Sequence, residues 1–480
     1  MIVLIFRRRF VLPAVVLGIC VIIMILFTGC EKQNSNVSKD ETKALKIAFS
    51  QTLDSVENSA LNDFRKDHPD IAIEFLDYSE YNTPLEPNAG EYKLAVDLFN
   101  GLCKPDLIIG EAKSDLMKQI AEKGLYRDLT PFLNGESKVN MNDLFASIRA
   151  SYTAKNGEMW GLGDVFIADT IIGNNALIGE LTSKESWTIA DLLDLRDSLP
   201  DDVYLAGNLW QSNADDMLLG QDVAGQFIHF EDMTCSFDDP IFIRWLNYLA
   251  SLPKTYEQLK AISPLDDAPS VERYAFYHQN RVALSTVYFW NLQFFTNLKA
   301  SFGTDDYTFL GFADGKKNPI RIDLERTYVM GAGAEQPELV WELIESFFIT
   351  DPSGVNRIHG IPSLKSVFHM MAEEYEKTDI ITYFSGGGGS LIHDDEEPFA
   401  EADLKEPGII TRFTAEDADR IIAVLDNPEY PSLLDRTPDE VEAIIEEEIS
   451  VFLNRDSITA EQCAKNIQSR VSIWLTEHRD

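Results

Sequence analysis

Basic residues are scarce in this chain of 480 residues: 41 lysines and arginines stand against 79 aspartates and glutamates, a formal net charge of −38. A surface of that sign repels nucleic acid, whose binding proteins present clustered lysine and arginine. Cysteine is scarcer still, at five. Cys20 and Cys30 lie in or beside an N-terminal apolar run, which leaves Cys103, Cys235 and Cys463. An odd number so widely spaced makes neither a disulfide framework nor a metal-ligand set. The three are expected to behave as buried small hydrophobes. Histidine numbers seven, with none in ligand spacing, and no G-x-S-x-G or H-E-x-x-H stretch occurs. No repeat of some 20–50 residues is visible. No cofactor and no metal is expected.

The N-terminus carries Arg7, Arg8 and Arg9, then almost unbroken apolar residues from Phe10 to Phe27. A basic stretch, an apolar run and small residues before a cleavage point make a secretory signal. The run exceeds the usual ~7–15 residues, so an uncleaved membrane anchor is the alternative. Leu26-Phe27-Thr28-Gly29-Cys30 resembles the lipobox of bacterial lipoproteins, with Phe27 a looser fit. That resemblance implies acylation of the Cys30 thiol, cleavage after Gly29, and a lipid-anchored body on the extracytoplasmic face of the membrane. Acyl chains hold a protein to a bilayer at ~0.8 kcal/mol per buried methylene. Residues 1–29 hold three arginines and no acid, so their removal takes the net charge from −38 to −41. Residues 30–43 are polar and without apolar period, and read as a flexible tether.

From 44 to 480 the chain is too long for one simple core, and two lobes are expected. Strand and helix alternate at the start: "LKIAF" (45–49), an apolar helical spacing over 55–67, and "IAIEFLDY" with Ile71, Ile73 and Phe75 on one face. A helix over 90–101, a buried strand at 106–109, and a helix capped by Ser114 and stopped at Gly124 follow. This βαβαβα order predicts an α/β fold on a parallel sheet, with ligands outside the carboxyl ends of its strands. Those ends are Ser50–Asp54 and Gly110–Ala112, and neither has a dinucleotide glycine fingerprint. Near the other terminus, Thr437 to Glu440 reads as a capping box with Pro438 at the first helical position. Thr459 to Gln462 reads as a second box. Gly386 to Gly389, followed by an acidic stretch to residue 397, reads as a solvated loop, with a calcium site as the sharper alternative.

Several segments resemble family 1 extracellular solute-binding proteins, the capture subunits of bacterial ABC importers that include maltose-binding-type sugar receptors. They are, in order, "FRKDHPDIAIEF", "PDLIIG", "IAEKGLYRDLTPFL", "NGEMWGLG", "IIGNNALIGE", "SWTIADLLDL", "NRVALSTVYFW" and "GIPSLKSV". Gly163 stands where the family commonly has proline. The resemblance implies a two-lobed, periplasmic-binding-protein-like α/β fold with a ligand cleft between discontinuous lobes. Their expected extents are about 44–155 with 282–335, and about 156–281 with 336–480. It implies a monomeric receptor without catalysis, which binds a carbohydrate or oligosaccharide and presents it to the permease subunits of an ABC transporter. A secreted glycan hydrolase needs two carboxylates roughly 5–10 Å apart and stays open as an alternative, as does a peptide-binding or adhesive lipoprotein.

Sugar sites combine flat aromatic faces with planar amides and carboxylates. On that chemistry, Trp290 falls at the family's stacking position and Tyr288 two residues before it on the same strand face. Trp210 and Gln211 match a second-lobe segment that supplies an aromatic and a polar group. Glu111 ends a parallel strand, Asp164 follows a crossover, and Tyr328 lies near a later one. Trp160 and Trp187 occupy positions that pack. An aromatic in an apolar strand is more often core than platform, so each aromatic reading carries core packing as its rival, and Glu111 and Asp164 carry helix capping or plain exposure to water as theirs.

Overall fold

The computed structural model describes residues 44–480 apart from 113, 220–223, 269, 290, 293–294, 296–301, 303–305, 318–319, 350–359, 378, 384–389, 394–407, 436, 456 and 480. Cys30, the residues 1–43 around it, Trp290 and most of the glycine-acidic stretch at 386–397 lie outside the described residues.

Strand β1 (Leu45–Phe49) leads into helix α1 (Ser55–Asp67). Asp54 caps α1 by accepting from the backbone N–H groups of Val56 and Glu57, while Glu57 accepts from the Asp54 N–H at 2.8 Å. This reciprocal pairing satisfies two donors that a helix start otherwise leaves open. Strand β2 (Ile73–Asp77), helix α2 (Ala89–Phe99), strand β3 (Leu107–Gly110) and helix α3 (Asp115–Glu122) follow. Ser114 caps α3, and Gly124 takes the left-handed φ of 63° that suits glycine after a helix. β1 pairs in parallel with β2 on one side and β3 on the other. β1 and β3 are almost wholly apolar because helices cover both faces. β2 is an edge: Phe75 is 39% exposed, with the Arg65 guanidinium over its ring.

The second half of the framework is strand β4 (Val165–Asn174), ten residues long and buried over nine of them. Helices α4 (Ile189–Ser198) and α5 (Pro240–Ser251) come next, then strands β5 (Leu284–Phe289), β6 (Tyr307–Phe309), β7 (Arg321–Leu324) and β8 (Thr327–Met330). β5, β6 and β7 all pair antiparallel with β4, as does the short strand β9 (Ile361–Pro362). β8 instead adds antiparallel to β3, giving the first sheet the order β8-β3-β1-β2. Helices α6 (Pro337–Phe347), α7 (Lys365–Glu376), α8 (Ala415–Leu425), α9 (Asp439–Asn454) and α10 (Ala460–Glu477) complete the chain. Among the described residues no helix is long and apolar enough to cross a membrane.

The apolar residues form two cores. The first joins β1, β3, α1, α3 and β8 with α6, α7 and α8. The second joins α4, α5, α9 and α10 with Leu284 and the segment from Leu310 to Ala313. β4 serves both, giving Phe166 and Ala168 to the first and Ile171 to the second. The sequence places the start of the second lobe's last segment at 336, whereas the buried residues of α6, α7 and α8 belong to the first core. The stripe of α6 explains it, since Val340, Leu343, Ile344 and Phe347 are buried against the first sheet and Trp341 stacks on Phe132 at 5.6 Å. Burying such a side chain contributes roughly 1.5–3 kcal/mol each, and the first sheet is the surface within its reach.

The cap of α9 also differs from expectation. Pro438 is the N-cap residue rather than the first helical one, and its ring offers no acceptor to the first turn. The apolar face Val441, Ile445 and Ile449 is buried as the spacing predicts. Thr459 does cap α10, accepting from the Gln462 N–H at 3.2 Å. Cys463 is fully buried, Cys103 and Cys235 half-buried, and all three are free thiols. Trp160 and Trp187 are core residues.

Candidate functional site

The carboxyl ends of β1 and β3 open into a cleft of about 800 Å³. Gln51, Thr52 and the first turn of α1 form one side, and Glu111 after β3 continues it. Asp164, Val165 and Ile167 line the start of β4, with Tyr288 of β5 next to them in the sheet. The end of β7 supplies Asp323 and Leu324, and the turn into β8 supplies Glu325 and Arg326. Phe348, Ile349, Pro362, Leu364 and Val367 give an apolar margin. Every one of these residues belongs to segments of the first core or to the strands leading away from it.

The turn from β7 to β8 can approach β4 because residue 163 is glycine. A Cβ there would meet the Arg326 carbonyl oxygen at 2.5 Å and the Tyr152 hydroxyl at 2.8 Å. Proline, which also carries a Cβ, would clash in the same way, so the departure from the family pattern is built into this site. Tyr152 reinforces the corner, its hydroxyl 2.8 Å from Thr327 Oγ1.

Arg326 sits at the centre of the polar wall. Its Nε lies 3.5 Å from Oε1 of Glu57, a carboxylate 1% exposed, and its Nη2 donates to the Thr52 carbonyl oxygen at 2.9 Å. Burial raises the Glu57 pKa, against the lowering effect of the Arg326 charge. Asp164 accepts a hydrogen bond from the Tyr328 hydroxyl at 3.1 Å. Its pKa is pushed up to about 7, first by burial. Hydrogen bonds from its own backbone and from Tyr328 oppose that rise, and the charges of Glu57 and Asp54 add to it. Tyr328 is driven well above the usual tyrosine range by burial and by the same carboxylates. At neutral pH the pair therefore offers a carboxyl midway through titration beside a phenol that stays protonated.

Of the candidates named from the sequence, Glu111, Asp164, Tyr288 and Tyr328 come together in this cleft. Glu111 is exposed and Tyr288 is 41% exposed, so both present surface to a solute. Tyr328 is 1% exposed and its ring stacks on Phe347 at 4.6 Å, so it forms the floor rather than an open platform. Trp210 and Gln211 are not part of the cleft wall. The Trp210 indole donates to Ser212 Oγ at 2.8 Å and packs beside Tyr256. The Gln211 amide donates to the carbonyl oxygens of Ala250 and Leu252, closing the C-terminal end of α5. A helix end leaves carbonyls without intrahelical partners, and a nearby amide is drawn to them.

The residues that sequence reasoning missed are Asp323, Glu325 and Arg326. A signal for them exists in "IRIDLERTY", where apolar Ile320, Ile322 and Leu324 alternate with charge and the alternation breaks into a charged turn.

The chain matches the bacterial extracellular solute-binding protein family over residues 49–348, more than half its length. No curated protein matches it. Among solved structures it is similar to the sugar-binding protein MalE from the phytopathogen Xanthomonas citri, at 12% identity and a TM-score of 0.50, covering 91% of this chain and 98% of that one. It is also similar to an ABC substrate-binding protein from Listeria monocytogenes in complex with cycloalternan, at 14% identity and a TM-score of 0.46, covering 90% and 98%. A third similar structure is an ABC transporter solute-binding protein from Thermotoga lettingae bound with alpha-D-tagatose, at 17% identity and a TM-score of 0.44, covering 90% and 100%. At these identities the likeness speaks to the fold alone.

Proposed function

The chain belongs to the bacterial extracellular solute-binding protein family, and from that premise we propose that it is a lipid-anchored receptor of an ABC importer that captures a carbohydrate. The observation that carries this reading is the cleft at the carboxyl ends of β1 and β3, beside strands that run from one core to the other. Ligands of open α/β sheets lie at such ends. Glu111, Asp164 and Gln51 supply acceptors and an amide for hydroxyl groups, and Tyr288 supplies a half-exposed ring for an apolar sugar face. Trp290, two residues beyond Tyr288 along the chain and outside the described residues, is the second ring this proposal would test. β4 and β5 act as the hinge, and closure brings the second lobe over the occupied cleft for presentation to a permease. The Xanthomonas citri protein is named as sugar-binding, which supports a saccharide as the first class to test. Anchoring through Cys30 would keep the receptor beside its permease as a monomer.

The test is a thermal-shift screen of oligosaccharides, peptides and polyamines on the full chain in detergent, followed by mass analysis of the bound solute. A receptor gains about 2.7 kcal/mol of stability at a hundredfold excess over its dissociation constant and returns the solute intact. Product that accumulates with time and protein would identify a hydrolase instead. No stabilisation by any soluble solute would favour the adhesive reading.

A further inference from the structure

We infer that a second cavity, on the first lobe and apart from the cleft, binds a phosphate monoester group. The inference goes beyond the receptor reading and does not depend on the captured solute. The cavity measures about 440 Å³ and shares no lining residue with the cleft. One wall is the short helix Ala146–Ser151 and the turn after it, which carry Arg149 and Lys155. The other is the segment that follows α8, which carries Tyr430 and Ser432. Both walls are fixed by hydrogen bonds. The Tyr430 hydroxyl accepts from the Ile322 N–H at 2.7 Å, and Ser432 Oγ donates across to the Thr153 carbonyl oxygen at 2.9 Å. A pre-formed cavity of this size is ordinary for a small ligand.

Its charge is not ordinary for this chain. The charged side chains that line it are Arg149 and Lys155, both cations, in a sequence of 79 acids and 41 bases. With nearly two acids for each base, a cation is expected to find a carboxylate, as Arg244 and Arg470 do. Arg149, half-buried, donates one N–H to the Met141 carbonyl oxygen at 3.0 Å, its one side-chain bond among the described residues. A guanidinium has five N–H donors, so that bond orients the fork and leaves the others for a ligand. Lys155 is exposed and makes no side-chain hydrogen bond or ion pair among the described residues. The acids that flank the walls in sequence face other groups. Asp426 accepts from the Ala146 N–H at 2.7 Å and lies 3.4 Å from Lys365, Asp143 accepts from Ser366, and Glu158 accepts from Tyr126 and Asn156. Glu429 acts on Lys317.

Two unpaired cations on one cavity call for an anion of matching charge. A carboxylate brings one negative charge, whereas a phosphate monoester brings about −1.5 to −2 at neutral pH and three acceptor oxygens. The arginine fork and the lysine point charge both suit that group. Acids elsewhere on the surface are screened beyond ~8 Å at physiological salt, so the local pair governs the cavity. Soluble sugar phosphates and lipid headgroups both present such a group. The second wall is also part of a passage of the chain between the two cores, Leu425 lying in the first and Val441 in the second. An occupant seated between the walls restrains that passage and makes its local opening rarer.

Calorimetry on the full chain in detergent tests this with inorganic phosphate, glucose 6-phosphate, glycerol 3-phosphate and, as the singly charged control, acetate. The phosphates should bind about tenfold or more tightly than acetate. Tighter binding of the hexose ester identifies a soluble source, and of the glycerol ester a headgroup. Lys155→Met, at an exposed position, should keep the fold and weaken phosphate about tenfold, and Arg149→Met should weaken it at least as much. Amide hydrogen exchange read by mass spectrometry should slow over residues 146–155 and 427–435 when inorganic phosphate is added. The inference is overturned if no phosphate binds, if acetate binds as tightly, if both variants keep the parent affinity, or if the protection appears around the cleft instead. None of these outcomes touches the receptor reading, which the separate solute screen decides.

Discussion

Asp164→Asn should change how the stability of this protein depends on pH. The Asp164 carboxyl has a pKa of about 7 in the folded chain, against an ordinary 3.8. An acid whose pKa rises on folding makes the folded state hold its proton more tightly than the unfolded one. Its favourable contribution is complete below about pH 4 and is lost as pH climbs toward 7. At ~1.36 kcal/mol per pH unit the full loss is about 4 kcal/mol, of which roughly 2.5 kcal/mol falls between about pH 5 and pH 8. Asparagine does not titrate, and its carbonyl oxygen can accept from Tyr328 as the carboxylate does. Relative to the parent, Asp164→Asn should therefore gain about 2.5 kcal/mol on going from pH 5 to pH 8. Urea unfolding followed by tryptophan fluorescence at each pH reads this as a growing gap between the two midpoints. Tyr328→Phe offers a companion test, because it keeps the ring on Phe347 but removes the donor that favours the charged carboxylate. It should steepen the parent's loss of stability with pH. A constant gap between Asp164→Asn and the parent across that range would refute the reasoning.

Other outcomes follow from neighbouring contacts. Arg326→Met should destabilise the fold by about 3–5 kcal/mol, because it leaves Glu57 buried without its counter-charge, and adding Glu57→Gln should recover much of that loss in the same urea assay. Gly163→Ala should cost about 1–3 kcal/mol by melting midpoint, since its Cβ would press on the Arg326 carbonyl at 2.5 Å. Cys30→Ser should leave an unacylated precursor, read by mass spectrometry of the N-terminus and by release from membranes; normal acylation and retention would end the lipoprotein reading.

The first sheet was legible because its strands and helices announce themselves locally. Leu45–Phe49 and Ser55–Asp67 match the sequence-based ranges residue for residue, since an apolar run, a capping aspartate and helical spacing are all short-range signals. What the stripe of α6 packs against was not legible, because an apolar face records that it is buried and not by which partner. The site divided along the same line. Glu111 and Asp164, read from a strand end and a crossover, both line the cleft, because topology alone places strand ends there. Gln211 reads from the sequence as a sugar contact because an amide stands beside a tryptophan, whereas its amide engages a helix end some 40 residues further along the chain. Asp323 to Arg326 escaped because their meaning depends on β8 crossing back to β3, a long-range pairing.

That pairing has a consequence for how the chain comes off the ribosome. β3 ends at residue 110 and its neighbour β8 begins at 327, while the last helix of the first core ends at 425. At roughly 5–20 residues per second, the first core waits some 20–85 seconds from initiation for its final helix. Through about half of that interval β3 is an uncovered edge of Leu107, Ile108 and Ile109, able to pair with any extended segment it meets. The nascent chain is therefore long-lived in an open, adhesive form, which suits passage through a narrow pore and calls for a holdase until the last third has been made.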